Sequence, residues 1–184
     1  MAAAKSLLLY DEIFRKQNIA RVLDYGAGTL RNTSYLLEAG YEVVIVDLPQ
    51  QLAKVMNRPE ICKAAGVYDI NQLRYCSLGM DLVTCNFVFN IIEDAEEREE
   101  LLNNVYNNLK IGGYFLLDVV RKKECDERFA GCVNREFCHA YTLEEMDQMI
   151  VPAGFQRVNV MVRDNFLSVL YQHCLKKGTA LLVS

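Results

Sequence analysis

Residues 21–49 read RVLDYGAGTLRNTSYLLEAGYEVVIVDLP, and this stretch decides the fold. Its first apolar run leads to Asp24. Two glycines follow, Gly26 and Gly28, which allow a tight turn and a close approach of the backbone to a ligand. A segment with an apolar helical face comes next, and a second apolar run then ends at Asp47. We predict a βαβ unit whose ligand groups stand at the carboxyl ends of two neighbouring parallel strands, where open α/β sheets bind ligands.

Two nucleotide-type cofactors fit this unit. Asp47 lies 21 residues after Gly26, so its carboxylate can accept hydrogen bonds from both hydroxyls of a ribose, as in NAD and S-adenosylmethionine sites. A dinucleotide fingerprint requires glycine at the position of Arg31, because the third glycine lets the helix pack closely on the strand. Arg31 therefore disfavours NAD, while the spacing alone leaves both cofactors open.

The motifs of this unit resemble those of a known family. Asp24-Tyr25-Gly26-Ala27-Gly28, followed by Asp47-Leu48-Pro49, resembles the first two motifs of class I S-adenosylmethionine-dependent methyltransferases. Within that family, residues 31–36 and 40–43 are similar to small-molecule enzymes of the tellurite-resistance type. The family's usual third glycine is Leu30 here. Two consequences of this departure are open: a tighter methionine pocket, or the loss of cofactor binding.

A second resemblance lies near the end of the chain. Residues 108–120, NLKIGGYFLLDVV, resemble the family's late motif, a helix that ends in a glycine pair before a strand. Residues 155–162 and 166–174 alternate enough to form a hairpin. The resemblance spans residues 20–175. It implies an α/β fold with a Rossmann-like, doubly wound, mostly parallel seven-stranded sheet and a C-terminal antiparallel hairpin, in one domain over residues 1–184.

The resemblance also implies a cofactor site for S-adenosylmethionine at the strand tips. A carboxylate at the end of the third strand can accept a hydrogen bond from an exocyclic amine. We expect an amphipathic helix within residues 1–19 to pack on the sheet edge, and in this family such a helix often closes over the cofactor. The implied cofactor-binding residues are Asp24, Gly26, Gly28, Asn32, Asp47, Leu48, Asp69, Ile70, Asn86 and Phe87.

Residues 121–141 show no hydrophobic periodicity and mix charged residues, cysteines and aromatics. This pattern favours a functional insertion. We predict a substrate lid, in which His139 and Tyr141 are the candidate catalytic residues and His139 serves as a general base. Three cysteines crowd this segment without forming the C-x-x-C pairs that structural zinc sites favour. We therefore predict no metal site, and free thiols throughout the chain.

Composition limits the partners. The net charge is −4 and the isoelectric point is near 5.3, so the chain lacks the basic footprint of a nucleic-acid-binding domain. Residues 86–89 read NFVF, where base methylases carry NPPY or PC. No apolar run approaches 18 residues, and the first residues do not resemble an export signal. We expect a cytoplasmic protein with a small-molecule substrate, without nucleic acid or membrane as partner.

The predicted function is methyl transfer from S-adenosylmethionine to a small-molecule acceptor. Three alternatives stay open from the sequence: a non-catalytic module that binds S-adenosylmethionine, a nucleic-acid methyltransferase and an NAD-dependent oxidoreductase. The first is suggested by Leu30. The last is disfavoured by Arg31 and by the closing hairpin.

Overall fold

The computed structural model of the protein describes residues 3–122 and 138–175. Strands and helices alternate through most of this chain, with one short 3₁₀ turn at Phe89–Ile91. The strands are β1 Arg21–Tyr25, β2 Glu42–Asp47, β3 Gly66–Asp69, β4 Met80–Asn86, β5 Leu109–Val120, β6 Phe155–Val162 and β7 Phe166–His173. The helices are α1 Lys5–Lys16, α2 Arg31–Glu38, α3 Pro49–Val55, α4 Pro59–Lys63, α5 Ile70–Leu73, α6 Ala95–Asn108 and α7 Leu143–Ile150.

The seven strands form one sheet in the order β3, β2, β1, β4, β5, β7, β6. The neighbours from β3 to β5 pair in parallel, while β7 runs antiparallel to both β5 and β6. The predicted mostly parallel sheet with a C-terminal antiparallel hairpin is therefore confirmed. Parallel strands place their carboxyl ends at one edge of the sheet, which we call the carboxyl rim, and the register there aligns Asp47 with Asp69 and Asn86 with Asp118.

Helices cover both faces of the sheet. Alternate residues of β2 show this, because Val44 and Val46 join the core cluster that contains α6 and α7, while Val43 joins the cluster that contains α1. The parallel strands β1, β2 and β4 are buried on both faces, as parallel strands covered by helices require.

Helix α1 lies on a face of the sheet and not at its edge. Its buried residues Leu7 and Phe14 pack in one cluster with residues of β1, β4, β5 and β7, among them Leu82 and Leu170. The predicted edge position is therefore wrong. The apolar stripe correctly predicted an amphipathic helix, but a stripe does not specify which part of a sheet it covers.

Two glycines after α6 have a different role from the predicted one. Helix α6 ends at Asn108, and Gly112 and Gly113 lie within β5, where the pairing with β4 shifts register. A positive φ of 80° at Gly112 accommodates this irregularity. The glycine pair therefore forms a bulge at the start of β5 instead of ending the helix.

The described cysteines do not all have free thiols. Cys62, Cys76, Cys85 and Cys174 are free, whereas Cys138 is disulfide-bonded. The prediction of free thiols throughout is wrong for Cys138, because spacing along the chain does not determine which sulfur atoms meet in space. Over residues 3–122 and 138–175, no helix is long and apolar enough to cross a membrane.

Candidate cofactor site

The loop between β1 and α2 is shaped by its two glycines. Gly26 has a φ of +73°, and a Cβ there would lie 2.2 Å from Cγ2 of Val88. Gly28 has a φ of +58°, and a Cβ there would meet only the carbonyl oxygen of Gly26, at 3.9 Å, among the described atoms. Glycine is thus required at the first position by protein packing. The second leaves open space in which a ligand can approach the backbone.

Asp47 connects this loop to β2. Its Oδ2 accepts a hydrogen bond from the Gly28 backbone N–H at 2.7 Å, and its Oδ1 accepts one from Leu48 N–H at 2.8 Å. A carboxylate offers about four lone-pair sites, so Asp47 keeps acceptor capacity for further donors. Leu48 itself is 43% exposed beside it. The tips of β1 and β2 therefore form a joined, partly exposed acceptor site for hydroxyl groups.

Gln51 supports the same loop and was not singled out from the sequence. Its Nε2 donates a hydrogen bond to the Gly28 carbonyl oxygen at 2.8 Å. Both backbone groups of Gly28 are thus held from the β2 side, the N–H by Asp47 and the carbonyl by Gln51. A glutamine in the first turn of a helix gives no distinctive sequence signal.

Asp24 lies beneath the loop and is only 1% exposed. The hydroxyl of Thr33 donates to its Oδ2 at 2.6 Å, and the hydroxyl of Thr84 donates to its Oδ1 at 3.3 Å. Burial raises the pKa of Asp24 to about 6, although both hydroxyls favour its charged form. Its visible contacts are with the protein, and its implied role in cofactor binding stays a prediction.

Leu30 begins α2 in a left-handed backbone conformation, with a φ of +65°. Its side chain is 1% exposed and packs with Ile45, Leu52 and Val55. The residue that replaces the family's third glycine therefore keeps the backbone geometry that suits glycine, while its side chain fills the core beneath the loop.

Asp69 ends β3 beside Asp47 and also caps α5. Its Oδ1 accepts hydrogen bonds from Asn71 N–H at 2.8 Å and Gln72 N–H at 3.0 Å, and Asp69 N–H donates to Oε1 of the Gln72 side chain at 3.0 Å. This capping box gives Asp69 a structural role. Ile70, the first residue of α5, is half-buried next to it. Their roles toward a cofactor stay predictions.

Asn86 and Asn32 meet at the tips of β4 and α2. Asn32 Nδ2 donates to Asn86 Oδ1 at 3.0 Å. Phe87 follows with a φ of +59°, where β4 has ended, and its ring packs edge-on against Phe166 at 5.9 Å. The structure brings both asparagines to the carboxyl rim near the glycine loop.

Asp118 and Ser6 extend this polar cluster. Asp118 Oδ2 accepts from Asn86 Nδ2 and from Ser6 Oγ, each at 2.6 Å. Burial raises the pKa of Asp118, and the hydrogen-bonding side chains around it oppose that rise. Neither residue was a predicted site residue. An acid inside the apolar run YFLLDVV was the available signal for Asp118.

His139 and Tyr141 line a cavity of about 230 Å³ between α6 and α7. Their rings lie 4.5 Å apart, and the ring of Tyr141 packs on Phe89 at 5.6 Å. His139 is exposed, whereas Tyr141 is buried and burial raises its pKa. The segment that contains Phe89 also contains Val88, which packs on Gly26, so it separates this cavity from the glycine loop. Residues 123–137 of the proposed lid lie outside the described residues.

A comparison with protein families decides the identity of this fold. A family model described as a methyltransferase domain matches residues 3–160. The chain belongs to this methyltransferase family. The match covers the glycine loop, the tips of β2 to β5 and most of β6, and it confirms the prediction of an S-adenosylmethionine-dependent methyltransferase. No curated protein sequence matches the chain.

Solved methyltransferases share the fold of this methyltransferase domain. A methyltransferase from Methanosarcina mazei is 15% identical with a TM-score of 0.74, over 95% of this chain and 100% of that one. One from Clostridium acetobutylicum is 18% identical with a TM-score of 0.70, over 92% and 90%. The 1,6-didemethyltoxoflavin-N1-methyltransferase of Burkholderia thailandensis, solved with S-adenosylhomocysteine, is 20% identical with a TM-score of 0.66, over 92% and 76%.

Proposed function

We propose that this methyltransferase transfers a methyl group from S-adenosylmethionine to a small-molecule acceptor, with the cofactor at the tips of β1 to β4. The observation that carries the proposal is the Asp47 carboxylate, which holds Gly28 N–H at 2.7 Å and retains lone pairs for two ribose hydroxyls. The open space at Gly28 admits the methionine part of the cofactor. Asp69 and Ile70 would hold the adenine, and Asn86 and Phe87 would contact the cofactor from the end of β4.

Few catalytic side chains are needed for this reaction. Bound S-adenosylmethionine supplies a methyl group that its sulfonium sulfur already activates, so the protein has to position the acceptor and exclude water. The segment that contains Val88 and Phe89 lies between the glycine loop and the cavity beside His139 and Tyr141, so the catalytic roles of these two residues, with His139 as a general base, stay predictions.

Three observations support a small-molecule acceptor. The net charge of −4 disfavours nucleic acid. The run at residues 31–36 resembles enzymes of the tellurite-resistance type. Structural neighbours include an enzyme solved with 1,6-didemethyltoxoflavin and a glycopeptide N-methyltransferase solved with S-adenosylmethionine. The tellurite-resistance type, a single domain over residues 1–184 and a cytoplasmic location stay predictions.

Calorimetry with S-adenosylhomocysteine tests the cofactor site. We expect wild-type protein to bind and Asp47→Ala to weaken binding about 100-fold, because two hydrogen bonds to a charged acceptor are lost. Glu42→Ala is the matched control, since Glu42 is an acid at the opposite end of the same strand. Binding of NADH without S-adenosylhomocysteine by the wild-type protein would overturn the assignment.

Labelled S-adenosylmethionine, offered with separate pools of metabolites, tRNA and DNA, tests the acceptor class. We expect label in the metabolite pool. Label in tRNA or DNA would contradict the small-molecule proposal, and binding without transfer to any pool would favour a non-catalytic binding module.

A further inference from the structure

We infer that Asp118 is a positioning residue, which docks the first turn of α1 on the strand tips and thereby holds Asn86 and Asn32 in place. The inference deepens the proposed function and rests on it, because these two asparagines belong to the proposed cofactor site. Asp118 itself acts through them.

The Asp118 carboxylate joins three elements of the fold. It lies two residues before the end of β5, in register with Asn86 of β4, and it is 1% exposed. Its Oδ2 accepts the hydroxyl of Ser6, a fully buried residue of α1, and the amide of Asn86, both at 2.6 Å. Hydrogen bonds to a charged acceptor at this length are roughly twice as strong as neutral ones. One side chain thus connects α1 to the tips of two strands.

The carboxylate also determines the direction of a chain of hydrogen bonds. Because a carboxylate only accepts, the amide nitrogen of Asn86 must face Asp118, and its oxygen faces Asn32. The nitrogen of Asn32 then donates to Asn86 at 3.0 Å, which leaves its oxygen to accept the backbone N–H of Ala4 at 2.9 Å. Asp118 therefore fixes the orientation of both amides, and the chain ends at α1.

This polar chain holds the N-terminal end of α1, where Ala4 adds only a small side chain to the apolar cluster. The N-cap residue Ala4 makes no side-chain capping bond. Its N–H and the Ser6 hydroxyl are both tied into the chain that starts at Asp118. The large apolar contacts of the helix come later, at Leu7, Tyr10 and Phe14. Loss of the chain should therefore loosen residues 4–6 while α1 stays packed from Leu7 onward.

Ser168 provides a matched control. It is fully buried and lies opposite Asp118 on β7. Its hydroxyl lies close enough to Asp118 to favour the charged form as a hydrogen-bonding group, although neither Ser168 Oγ nor Asp118 Oδ1 has a partner within strict hydrogen-bond geometry among the described residues. Ser6→Ala and Ser168→Ala thus delete the same atom, at equal burial, on two sides of one carboxylate, and only Ser6 belongs to the chain.

The test combines calorimetry with S-adenosylhomocysteine and hydrogen exchange of the α1 backbone amides, both on the full chain. We expect Ser6→Ala to weaken binding about tenfold, because one charge-assisted bond is lost, and to speed exchange of the Ala4 amide, which donates to Asn32. Ser168→Ala should change binding less than about twofold. Asp118→Asn keeps an acceptor oxygen and should bind better than Asp118→Ala, and Ser6→Ala added to Asp118→Ala should cause no further loss.

Two results would overturn the inference. One is equal affinity and equal α1 exchange in the Ser6→Ala and Ser168→Ala proteins, which would mean that apolar packing alone docks the helix. The other is a purely additive effect of the Ser6 and Asp118 substitutions. Wild-type protein that binds no S-adenosylhomocysteine would contradict the proposed function instead. The exchange rates of α1 alone would then test whether Asp118 docks this helix.

Discussion

At the scale of single residues, Leu30 combines an unfavourable backbone conformation with favourable burial of its side chain. Its φ of +65° costs a non-glycine residue roughly 1–2 kcal/mol. Its side chain is 1% exposed, and burial of a leucine contributes about 1.5–3 kcal/mol. The packing offsets the strain. A leucine can therefore replace the family's third glycine without altering the path of the loop.

This balance predicts an unusual order of stabilities. Leu30→Gly and Leu30→Ala should both destabilise the fold by about 2–5 kcal/mol, but the glycine variant should be the more stable by about 1 kcal/mol because glycine adopts a positive φ freely. Urea unfolding measures the difference. At Leu36, a buried position inside α2, the order should reverse, because glycine disfavours a helix interior. The same order at both positions would contradict the strain at Leu30.

Asp24 predicts a pH dependence of stability. Its pKa in the folded protein is raised from 3.8 to about 6, so its buried charge disfavours folding above pH 6, and this cost disappears as the pH falls from 6 to 4. Asp24→Asn removes the charge, and the two threonine hydroxyls can turn to pair with the amide. We expect the variant to gain up to about 3 kcal/mol of unfolding free energy at pH 8 and almost nothing at pH 4. Urea unfolding measures the gain in stability. A gain that did not change with pH would show that it does not come from removal of the buried Asp24 charge.

At the scale of elements, the glycine loop separates two requirements. Gly26 faces Val88, a protein side chain, whereas Gly28 faces open space. Two glycines two residues apart therefore serve different purposes, the first in packing and the second in the proposed approach of the cofactor.

Alanine substitutions should separate these roles. Gly26→Ala should lower the unfolding free energy by about 2–5 kcal/mol, from the overlap with Val88 together with the positive φ. Gly28→Ala should cost only about 1–2 kcal/mol of stability, yet weaken binding of S-adenosylhomocysteine about tenfold or more. Thermal unfolding and calorimetry on both variants provide the comparison. A Gly28→Ala protein with unchanged affinity would show that no ligand approaches this position.

Local rules explain which elements could be predicted. The βαβ unit, the capping box formed by Thr142 and Glu145, and the hairpin follow from patterns within a few residues. The place of α1, the bulge at Gly112 and the contacts of Asp118 could not be predicted in this way. The Ser6 hydroxyl meets Asp118 across 112 residues of sequence, and no local pattern contains such a contact.

At the scale of the whole molecule, two aspartates act at opposite ends of the parallel strands. Asp47 stands at the carboxyl rim. Asp81 lies near the amino end of β4, where its Oδ2 accepts from Ala20 N–H at 2.8 Å and Arg21 N–H at 2.9 Å, and its Oδ1 pairs with Lys110 at 2.5 Å. Asp81 thus ties β1, β4 and β5 together away from the proposed site.

Mutations at the two ends of the strands should have opposite effects on stability and on cofactor affinity. Asp81→Ala should lower the unfolding free energy by about 2–4 kcal/mol, since two backbone N–H groups lose a charged acceptor, and should leave affinity for S-adenosylhomocysteine unchanged. Asp47→Ala should weaken binding with less effect on stability. Denaturation and calorimetry on both proteins check the contrast. Equal losses of affinity in the two variants would contradict a structural role for Asp81 and a binding role for Asp47.

The reversed direction of β7 has a further consequence. It brings the connection between β6 and β7, residues 163–165, back to the carboxyl rim, where Arg121 donates to the carbonyls of Arg163 and Asn165. A surface connection tolerates added length with little loss of folding stability. Related proteins with a longer connection between β6 and β7 could therefore acquire new acceptor preferences, while the sheet that carries the proposed cofactor site stays unchanged.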